Sequence, residues 1–230
     1  MVQKKRDRQA TKREPDTLRT VKLPKPSIKR VRSLARALEL RMTTREISSR
    51  KLPLQTLSNL LWAACGVNRR KGPFGIQGRT AASASNSQEI DVYAALQAGT
   101  YLYDPLRHQL QPVTTCDLRR FAIGQGQNGA GAEAPVRFIY VADIHKLEHT
   151  AGFDEPGLHN PDIQRAYYYV DTGMIAANVY IFAAALGLAA WFHNCDRAQL
   201  PSLLNLRKDQ RVLFGQTIGY PMKKQHRGSL

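Results

Sequence analysis

Leucine and alanine recur every three or four positions within residues 33–45 and again within 53–66, which predicts two helices. A proline opens the second of these segments and a glycine follows it, as is typical of helix ends. Cap candidates before Leu118–Ile123 predict a third helix, and Arg197–Leu204 predicts a short fourth one. These segments account for much of the leucine in the first half of the chain.

Strand patterns are interleaved with these helices. Apolar, β-branched and aromatic runs predict strands over Ile90–Leu96, Thr100–Tyr103, Val136–Ala142 and Val212–Tyr220. Gly99 separates the first two runs, so we expect a hairpin there. Helices and strands do not alternate regularly, as they would in a parallel sheet. We therefore predict an α+β fold, with helices on a mixed sheet.

One stretch, Gly173–Phe192, runs for twenty residues without a charge. That length could cross a bilayer. It contains Asn178 and Tyr180, is rich in alanine rather than leucine, and has Asp171 close to one end. A buried central helix is the preferred interpretation, and no transmembrane segment is expected.

The charge of the chain is concentrated near its start. The whole sequence carries a formal net charge of +16, and residues 1–33 alone hold 12 basic and 3 acidic side chains with no apolar run. We expect residues 1–33 to form a flexible basic arm and residues 34–230 to form the folded domain. The arm could contact nucleic acid or an anionic membrane, but it carries no nucleic-acid recognition motif.

Several common chemistries are excluded or disfavoured. The three cysteines, Cys65, Cys116 and Cys195, offer neither a disulfide framework nor a metal-binding pair, which favours a reducing compartment, the cytoplasm. The chain has no GxSxG motif and no Walker A lysine. Hydrolase and nucleoside triphosphatase functions are therefore disfavoured.

Two further motifs carry little weight. Gly124–Gly129 matches GxGxxG, but a predicted helix precedes it and a strand follows it, the reverse of a dinucleotide site, so we interpret it as a loop. His145 and His149 are four residues apart without an evident third ligand, and a solvated turn is expected there. No metal site is predicted.

Three other segments suit a planar ligand that carries a phosphate. Arg41-Met-Thr-Thr-Arg45 is expected to place two guanidinium groups and hydroxyls on one side of a helix end or turn, although a solvated basic helix face would look the same. Arg79–Gln88 is rich in small and hydroxyl-bearing residues and leads into a strand. Gly219–Lys224 places two lysines after the last strand. Alternatively, Arg79–Gln88 is an ordinary polar loop and Gly219–Lys224 is a solvated tail.

In combination and in order, these segments resemble the nitroreductase family of flavoproteins from about Leu23 to Lys224. The opening helix and phosphate motif of that family are similar to SLARALELRMTTREIS, and its loop before the first long strand is similar to GRTAASASNSQEIDVY. Its long central helix resembles YYYVDTGMIAANVYIFAAALGL, and its closing strand resembles LRKDQRVLFGQTIGYP. KLPLQTLSNLLWAACGVNR is similar to a helix of the subgroup related to azoline-oxidising dehydrogenases.

The resemblance implies an FMN enzyme built as an intertwined homodimer, with two flavins at the subunit interface. It implies that the ribityl phosphate is bound by Arg41, Met42, Thr43 and Arg45. It implies that the isoalloxazine is approached, from the other subunit, by Ala82, Ser83, Ala84 and Asn86. Near flavin N5 it implies a loop that contains Trp191, Phe192, His193 and Asn194. Lys223 or Lys224 would add charge near the phosphate.

This chain departs from the family pattern at four positions. Met42 stands where the family has a second arginine, so only its backbone could contribute, and Thr43 replaces a serine but should keep the hydroxyl. Ala82 replaces a common proline, and Asn194 falls where glycine is usual, a position that asparagine tolerates better than other residues. His193 is a weak candidate for a proton donor or an anion anchor; alternatively it only caps the loop.

The implied activity is ping-pong hydride transfer from NAD(P)H through flavin N5 to an electron-poor small molecule such as a nitroaromatic or a quinone. No catalytic side chain is expected, because the flavin performs the chemistry. One alternative is an FMN-dependent dehydrogenase of a specific substrate such as a peptide-derived heterocycle. Another, outside enzymes, is a protein that binds nucleic acid or a membrane through its basic arm.

Overall fold

The computed structural model describes residues 18–29, 31–72, 75–124, 126, 133–151 and 156–222, and they form an α+β domain. Its helices are α1 (Leu34–Leu40), α2 (Leu54–Cys65), α3 (Ile144–Glu148), α4 (Pro161–Leu186) and α5 (Leu200–Leu203). Its strands are β1 (Val21–Lys22), β2 (Val67–Arg69), β3 (Gly78–Arg79), β4 (Ile90–Leu96), β5 (Gly99–Asp104), β6 (Gln109–Thr114), β7 (Val136–Asp143), β8 (Ala189–His193) and β9 (Gln210–Gly219).

One sheet, with the strand order β1-β6-β5-β4-β7-β9-β8, forms the centre of the domain, and β2 pairs with β3 beside it. The neighbouring strands of the large sheet are antiparallel throughout. In the described part of the chain, the parallel component expected of a mixed sheet is limited to an isolated bridge between Thr43 and Ala190. The predicted α+β class is confirmed.

Inside the sheet, between β4 and β9, lies β7, all of whose residues are buried. Because successive strand residues point to opposite faces, Phe138 and Tyr140 enter the core beneath α2 and α4. Ile139 and Val141 enter a second cluster on the other face, with Leu200 of α5. A strand buried on both faces reads as a continuous apolar run, which is why its position was predictable.

The long helix α4 lies on the first face, against α1, α2 and β8. Asn160 caps its N-terminus, accepting hydrogen bonds from two backbone N–H groups of the first turn. Gly187 ends it in the left-handed conformation (φ 73°). By length and composition α4 could cross a membrane. In this domain it is the long central helix, and one side of it is buried.

The end of the uncharged stretch differs from the prediction. We expected the helical character to continue through Phe192, but α4 stops at Leu186 and the remaining residues form β8. Gly187 supplies the break, because a positive φ ends the helix without the strain that a side chain would add.

The part of the predicted basic arm from Leu18 to Lys29 is packed on the domain. β1 pairs with β6, and Leu23 is buried. Asn59 of α2 accepts from Ser27 N–H at 2.9 Å and donates to the Ser27 carbonyl at 2.9 Å. We expected residues 1–33 to form a flexible arm, and these contacts correct that prediction for residues 18–29. Residues 1–17 lie outside the described residues.

Candidate functional site

The basic segment after α1 runs as extended chain along the outer edge of β8. Thr44 N–H donates to the carbonyl oxygen of Ala190 at 3.0 Å, and Thr43 forms its parallel bridge with the same residue. Arg41 and Thr43 lie beside Tyr180 of α4, and Arg45 lies beside Trp191 of β8; we call these three residues the basic row. We had expected the two arginines on a helix end or turn; the structure places them in this extended row.

Tyr180 of α4 joins this row to β8. Its phenol oxygen accepts the backbone N–H of Phe192 at 2.8 Å and lies 3.1 Å from Thr43 Oγ1. Either hydroxyl could donate in the contact between Tyr180 and Thr43. When Tyr180 donates, the Thr43 hydroxyl hydrogen is left for a ligand. The sequence analysis missed Tyr180, since it gave no sign that positions 43, 180 and 192 meet.

The two arginines of the row rest on aromatic rings. The guanidinium carbon of Arg41 lies 5.7 Å from the ring centroid of Tyr180, and that of Arg45 lies 5.4 Å from the ring centroid of Trp191. Neither arginine belongs to an ion pair within the described residues, and both are exposed. Two guanidinium groups without a counterion beside a free hydroxyl are well suited to an oxyanion such as a phosphate.

Met42 points away from this row. Its side chain is 66% exposed, and in extended chain it faces opposite to its neighbours. The side chain therefore adds nothing to an anion site, and only the backbone of Met42 is available there.

Trp191, Phe192 and His193 lie on β8, which corrects their placement in a loop; Asn194 follows the strand and is exposed. The indole of Trp191 is buried, whereas Phe192 is half-buried and packs against Phe214 with ring centroids 4.8 Å apart. These positions end the strand beside the basic row.

The side chain of His193 points into the domain. Its Nδ1 donates to the Asn194 carbonyl at 2.8 Å, so Nε2 accepts from the Thr217 hydroxyl at 2.7 Å. Burial lowers the pKa of His193 to about 4, which keeps the ring neutral near pH 7. Gly215 makes the space, since a Cβ there would lie 2.8 Å from the imidazole. With both nitrogens occupied, His193 is not placed to donate a proton to a substrate.

The predicted loop residues Ala82, Ser83, Ala84 and Asn86 lie against the first half of α4. Asp171 Oδ2 accepts the N–H of Ala84 at 2.8 Å. Asn178 Nδ2 donates to the carbonyl of Thr80 at 3.2 Å. The loop is therefore attached to α4, while its own backbone includes residues at positive φ.

Within one protomer the loop and the basic row stand apart. Asp171 and Tyr180 are nine residues apart on α4, which corresponds to about 13 Å along a helix axis. One chain thus brings Arg41, Thr43 and Phe192 together and does not bring Ala84 into the same cluster. Lys223 and Lys224 lie outside the described residues.

The two weaker motifs remain apart from this site. His145 and His149 lie on and just after the short helix α3, with rings stacked 4.0 Å apart, where we had expected a turn. Among the described residues no three His, Cys, Asp or Glu side chains are grouped to hold a metal. Most of the stretch 124–129 lies outside the described residues.

Comparison with known proteins places the chain in a family. The model of the Nitroreductase family matches residues 38–220. A solved structure of a protein described as a nitroreductase from Ralstonia eutropha is 34% identical, with a TM-score of 0.78, and the match covers 91% of this chain and 93% of that one. A protein named as a nitroreductase from Methanocaldococcus jannaschii is 27% identical over 176 residues, 74% of this chain and 81% of that protein.

A more distant neighbour is the Escherichia coli microcin synthetase complex McbBCD. It is 18% identical with a TM-score of 0.63, and the match covers 80% of this chain and 70% of that one, so it shows a common fold alone. The family match spans most of the domain and includes both the basic row and the end of β8. The chain therefore belongs to the nitroreductase family and is an oxidoreductase of that flavin-dependent family.

Proposed function

We propose that this protein is an FMN-dependent oxidoreductase that accepts hydride from NAD(P)H and passes electrons to an electron-poor small molecule such as a nitroaromatic or a quinone. The observation that carries the proposal is the row of Arg41, Thr43 and Arg45 beside the end of β8. Family membership supplies the redox chemistry, and this row supplies a place for the cofactor's phosphate.

The residues of the row fit a phosphate. Arg41 and Arg45 lack an acidic partner among the described residues, and Thr43 adds an exposed hydroxyl that can donate to a ligand when Tyr180 donates to it. Guanidinium groups bind phosphate through charge-assisted hydrogen bonds, which are about twice as strong as neutral ones. We assign Arg41, Thr43 and Arg45 to the FMN phosphate, with the backbone of Met42, and Lys223 or Lys224 as a further cation.

A second copy of the chain would complete the site. Val170 and Met174 are exposed apolar residues on the uncovered side of α4, and Gly173 between them has open space in front of its Cα. Such a stripe on a central helix is well suited to packing against its equivalent in another copy. Since one protomer keeps the loop away from the basic row, we propose that Ala82, Ser83, Ala84 and Asn86 approach the flavin held by the partner.

Each side chain would then have a limited task. When bound, FMN supplies hydride transfer at its N5 atom. Tyr180 fixes Thr43 and the backbone of Phe192 relative to each other. Trp191 and Phe192 offer aromatic surface, and we propose that the backbone at His193 and Asn194 faces flavin N5. His193 stays neutral and moves no proton.

The proposal is tested by purifying the protein and recording its flavin spectrum. We expect bound FMN in a homodimer, bleached by NADH or NADPH without oxygen and restored by a quinone or nitroaromatic. An FMN-replete dimer that neither nicotinamide bleaches would overturn the reductase. Bleaching by a heterocycle-bearing peptide instead would identify the dehydrogenase alternative.

Two further proposals are separate from this chemistry. We place the enzyme in the cytoplasm, because its three cysteines are unpaired in the structure. The proposal that the basic arm binds nucleic acid or membrane now concerns mainly residues 1–17. Removing those residues, and not residues 18–33, tests it by nucleic-acid retention at unchanged flavin content.

A further inference from the structure

The loop that precedes β4 contains three strained residues. Ser85, Asn86 and Gln88 have φ values of 49°, 56° and 53°, a region that residues other than glycine rarely adopt. Each such residue costs of the order of 1–3 kcal/mol and persists only where its surroundings hold it. The contacts that hold this loop therefore decide the position of the Ala82–Ala84 segment.

Some of these contacts stay near the loop itself. Ser83 Oγ accepts the N–H of Gln88 at 3.0 Å, and the Gln88 side chain donates to the carbonyl of Gln77 at 2.7 Å. Arg79 Nε donates to Gln88 Oε1 at 2.6 Å. They define the shape of the loop, but they do not fix it to the rest of the domain.

Besides the hydrogen bond between Asn178 and Thr80, a pair of carboxyl groups connects the loop to α4. Glu89 is fully buried and Asp171 is 4% exposed. Asp171 Oδ2 accepts the N–H of Ala84 at 2.8 Å, and the carboxyl groups of Glu89 and Asp171 line the same cavity, where the charge of Asp171 acts on Glu89. Two carboxylates cannot hydrogen-bond each other unless one of them carries a proton.

The surroundings of Glu89 favour its neutral form. Its Oε2 accepts from Ser87 Oγ at 2.5 Å, while its Oε1 is buried without a donor of its own among the described residues. Burial, and then the negative charge of Asp171, raise the pKa of Glu89. Burial likewise raises the pKa of Asp171, whose ionised form is favoured by the Ala84 N–H.

The other ionisable groups of this cavity do not provide a cation for the pair. The cavity measures about 70 Å³. Lys146 of α3 pairs with Asp91 of β4 at 2.5 Å. The guanidinium of Arg79 keeps its charge, but it donates to Gln88 and its charge acts on Asp91 and Asp104 rather than on the pair. Burial raises the pKa of the Cys65 thiol to about 12 and also raises the pKa of the Tyr103 phenol, so both are neutral near pH 7.

We propose that Glu89 and Asp171 share a single proton, and that this shared proton fixes the part of the loop around Ala84 on α4, in the position it needs to meet the flavin. Glu89 donates to the Asp171 carboxylate, and that carboxylate in turn holds the backbone of Ala84. Both are positioning residues, since neither lies in the basic row. Only the contact of the loop with the flavin rests on the proposed function; the shared proton does not.

Alkaline pH should release the loop. Both carboxyls have raised pKa values when folded, so the pair contributes most at low pH, and the contribution is lost as pH rises through the pKa of the folded pair. Removing the shared proton leaves two buried negative charges side by side, which cannot both persist there. The strained backbone at Ser85 and Asn86 then loses the contact that holds it.

The test compares the wild type with Glu89→Gln, which keeps a neutral donor at every pH. Asp162→Asn, an exposed carboxyl in the first turn of α4, is the control. In the wild type and the control we expect the FMN dissociation constant to rise about tenfold at alkaline pH, and in Glu89→Gln we expect no such rise. An alkaline rise that persists unchanged in Glu89→Gln would overturn the proposal.

A second measurement separates this inference from the proposed function. Amide hydrogen exchange at Ala84, in protein without flavin, should show faster opening at alkaline pH in the wild type than in Glu89→Gln, after correction for intrinsic exchange. If that difference appears but FMN never binds, the result supports the shared proton and contradicts the proposed flavin function. If FMN binds but the two proteins exchange at the same rate, the result contradicts the shared proton.

Discussion

The phenol oxygen of Tyr180 lies 3.1 Å from the hydroxyl oxygen of Thr43, although 137 positions separate the two residues. The same phenol accepts the backbone N–H of Phe192. A single side chain of α4 thus sets the position of the proposed phosphate-binding row relative to the end of β8, where the flavin ring is expected.

Tyr180→Phe should weaken FMN binding while leaving the fold intact. The change removes one hydroxyl and leaves Phe192 N–H without its acceptor, a cost of about 1–3 kcal/mol. We expect roughly a tenfold rise in the FMN dissociation constant, measured by quenching of flavin fluorescence. Tyr169→Phe, on the exposed side of the same helix, is the control and should bind as the wild type does. Equal losses in both variants would count against a specific role for the Tyr180 hydroxyl.

Arg41→Ala should distinguish FMN from riboflavin. If Arg41 binds the phosphate, its loss should weaken FMN binding by about 10- to 100-fold, since a charge-assisted hydrogen bond contributes about 1.5–3 kcal/mol, and should leave riboflavin binding nearly unchanged. Arg36→Ala, which removes an exposed arginine paired with Glu39, is the control. Parallel losses for both flavins would show that Arg41 acts on the fold and not on the phosphate.

His193 should make the protein less stable in acid. Its folded pKa of about 4 lies below the ordinary value of 6.5, so the unfolded chain takes up the proton first. The neutral ring contributes its full stability above about pH 6.5, and that contribution is lost as pH falls towards 4. The difference in melting temperature between wild type and His193→Gln should therefore shrink or reverse over this range. His149→Gln is the control; a difference that does not vary with pH would contradict the neutral, buried assignment.

The three cysteines should differ sharply in reactivity. Cys116 is exposed, whereas burial raises the pKa of Cys65 to about 12 and that of Cys195 to about 11. A thiol reagent should label one site in the native protein and three after denaturation. Cys116→Ser should abolish the native labelling, and rapid native labelling of either buried thiol would contradict the packing described here.

Elements with strong local signals were predictable from the sequence. Pro53 and Gly66 bound α2 as expected, and the buried run at the centre of the sheet is β7. In these places the chemistry of a few consecutive residues decides the structure. The residues of the basic row were singled out only in combination with the other segments, because arginine and threonine at that spacing would look the same on a solvated helix face.

Elements that depend on distant partners were not predictable. The helix expected over Leu118–Ile123 is absent, and the segment forms turns. There Asp117 pairs with Arg119 at 2.6 Å instead of capping a helix. The strand β8 was hidden within an apolar stretch, since its partner β9 lies further along the chain.

The missed residues of the candidate site share this cause. The roles of Tyr180, Glu89 and Asp171 depend on contacts with residues far away in the sequence. A single tyrosine or carboxylate in a sequence does not indicate such a contact. His193 illustrates the reverse case. Its residue type suggested acid–base chemistry, but the space beside Gly215 lets the ring turn inward and bind Thr217.

The segments that flank α1 also close the sheet. β1 forms one edge of the seven-stranded sheet by pairing with β6, and Thr43 with Thr44 lies along the outer side of β8 at the other edge. Both edges are therefore covered by segments from the first fifty residues. An open strand end offers unpaired N–H and C=O groups to any other sheet, and covering it suppresses aggregation. The proposed flavin binding and the resistance to aggregation would thus depend on the same short piece of chain, and a change that loosens Thr43 and Thr44 from β8 should weaken both at once.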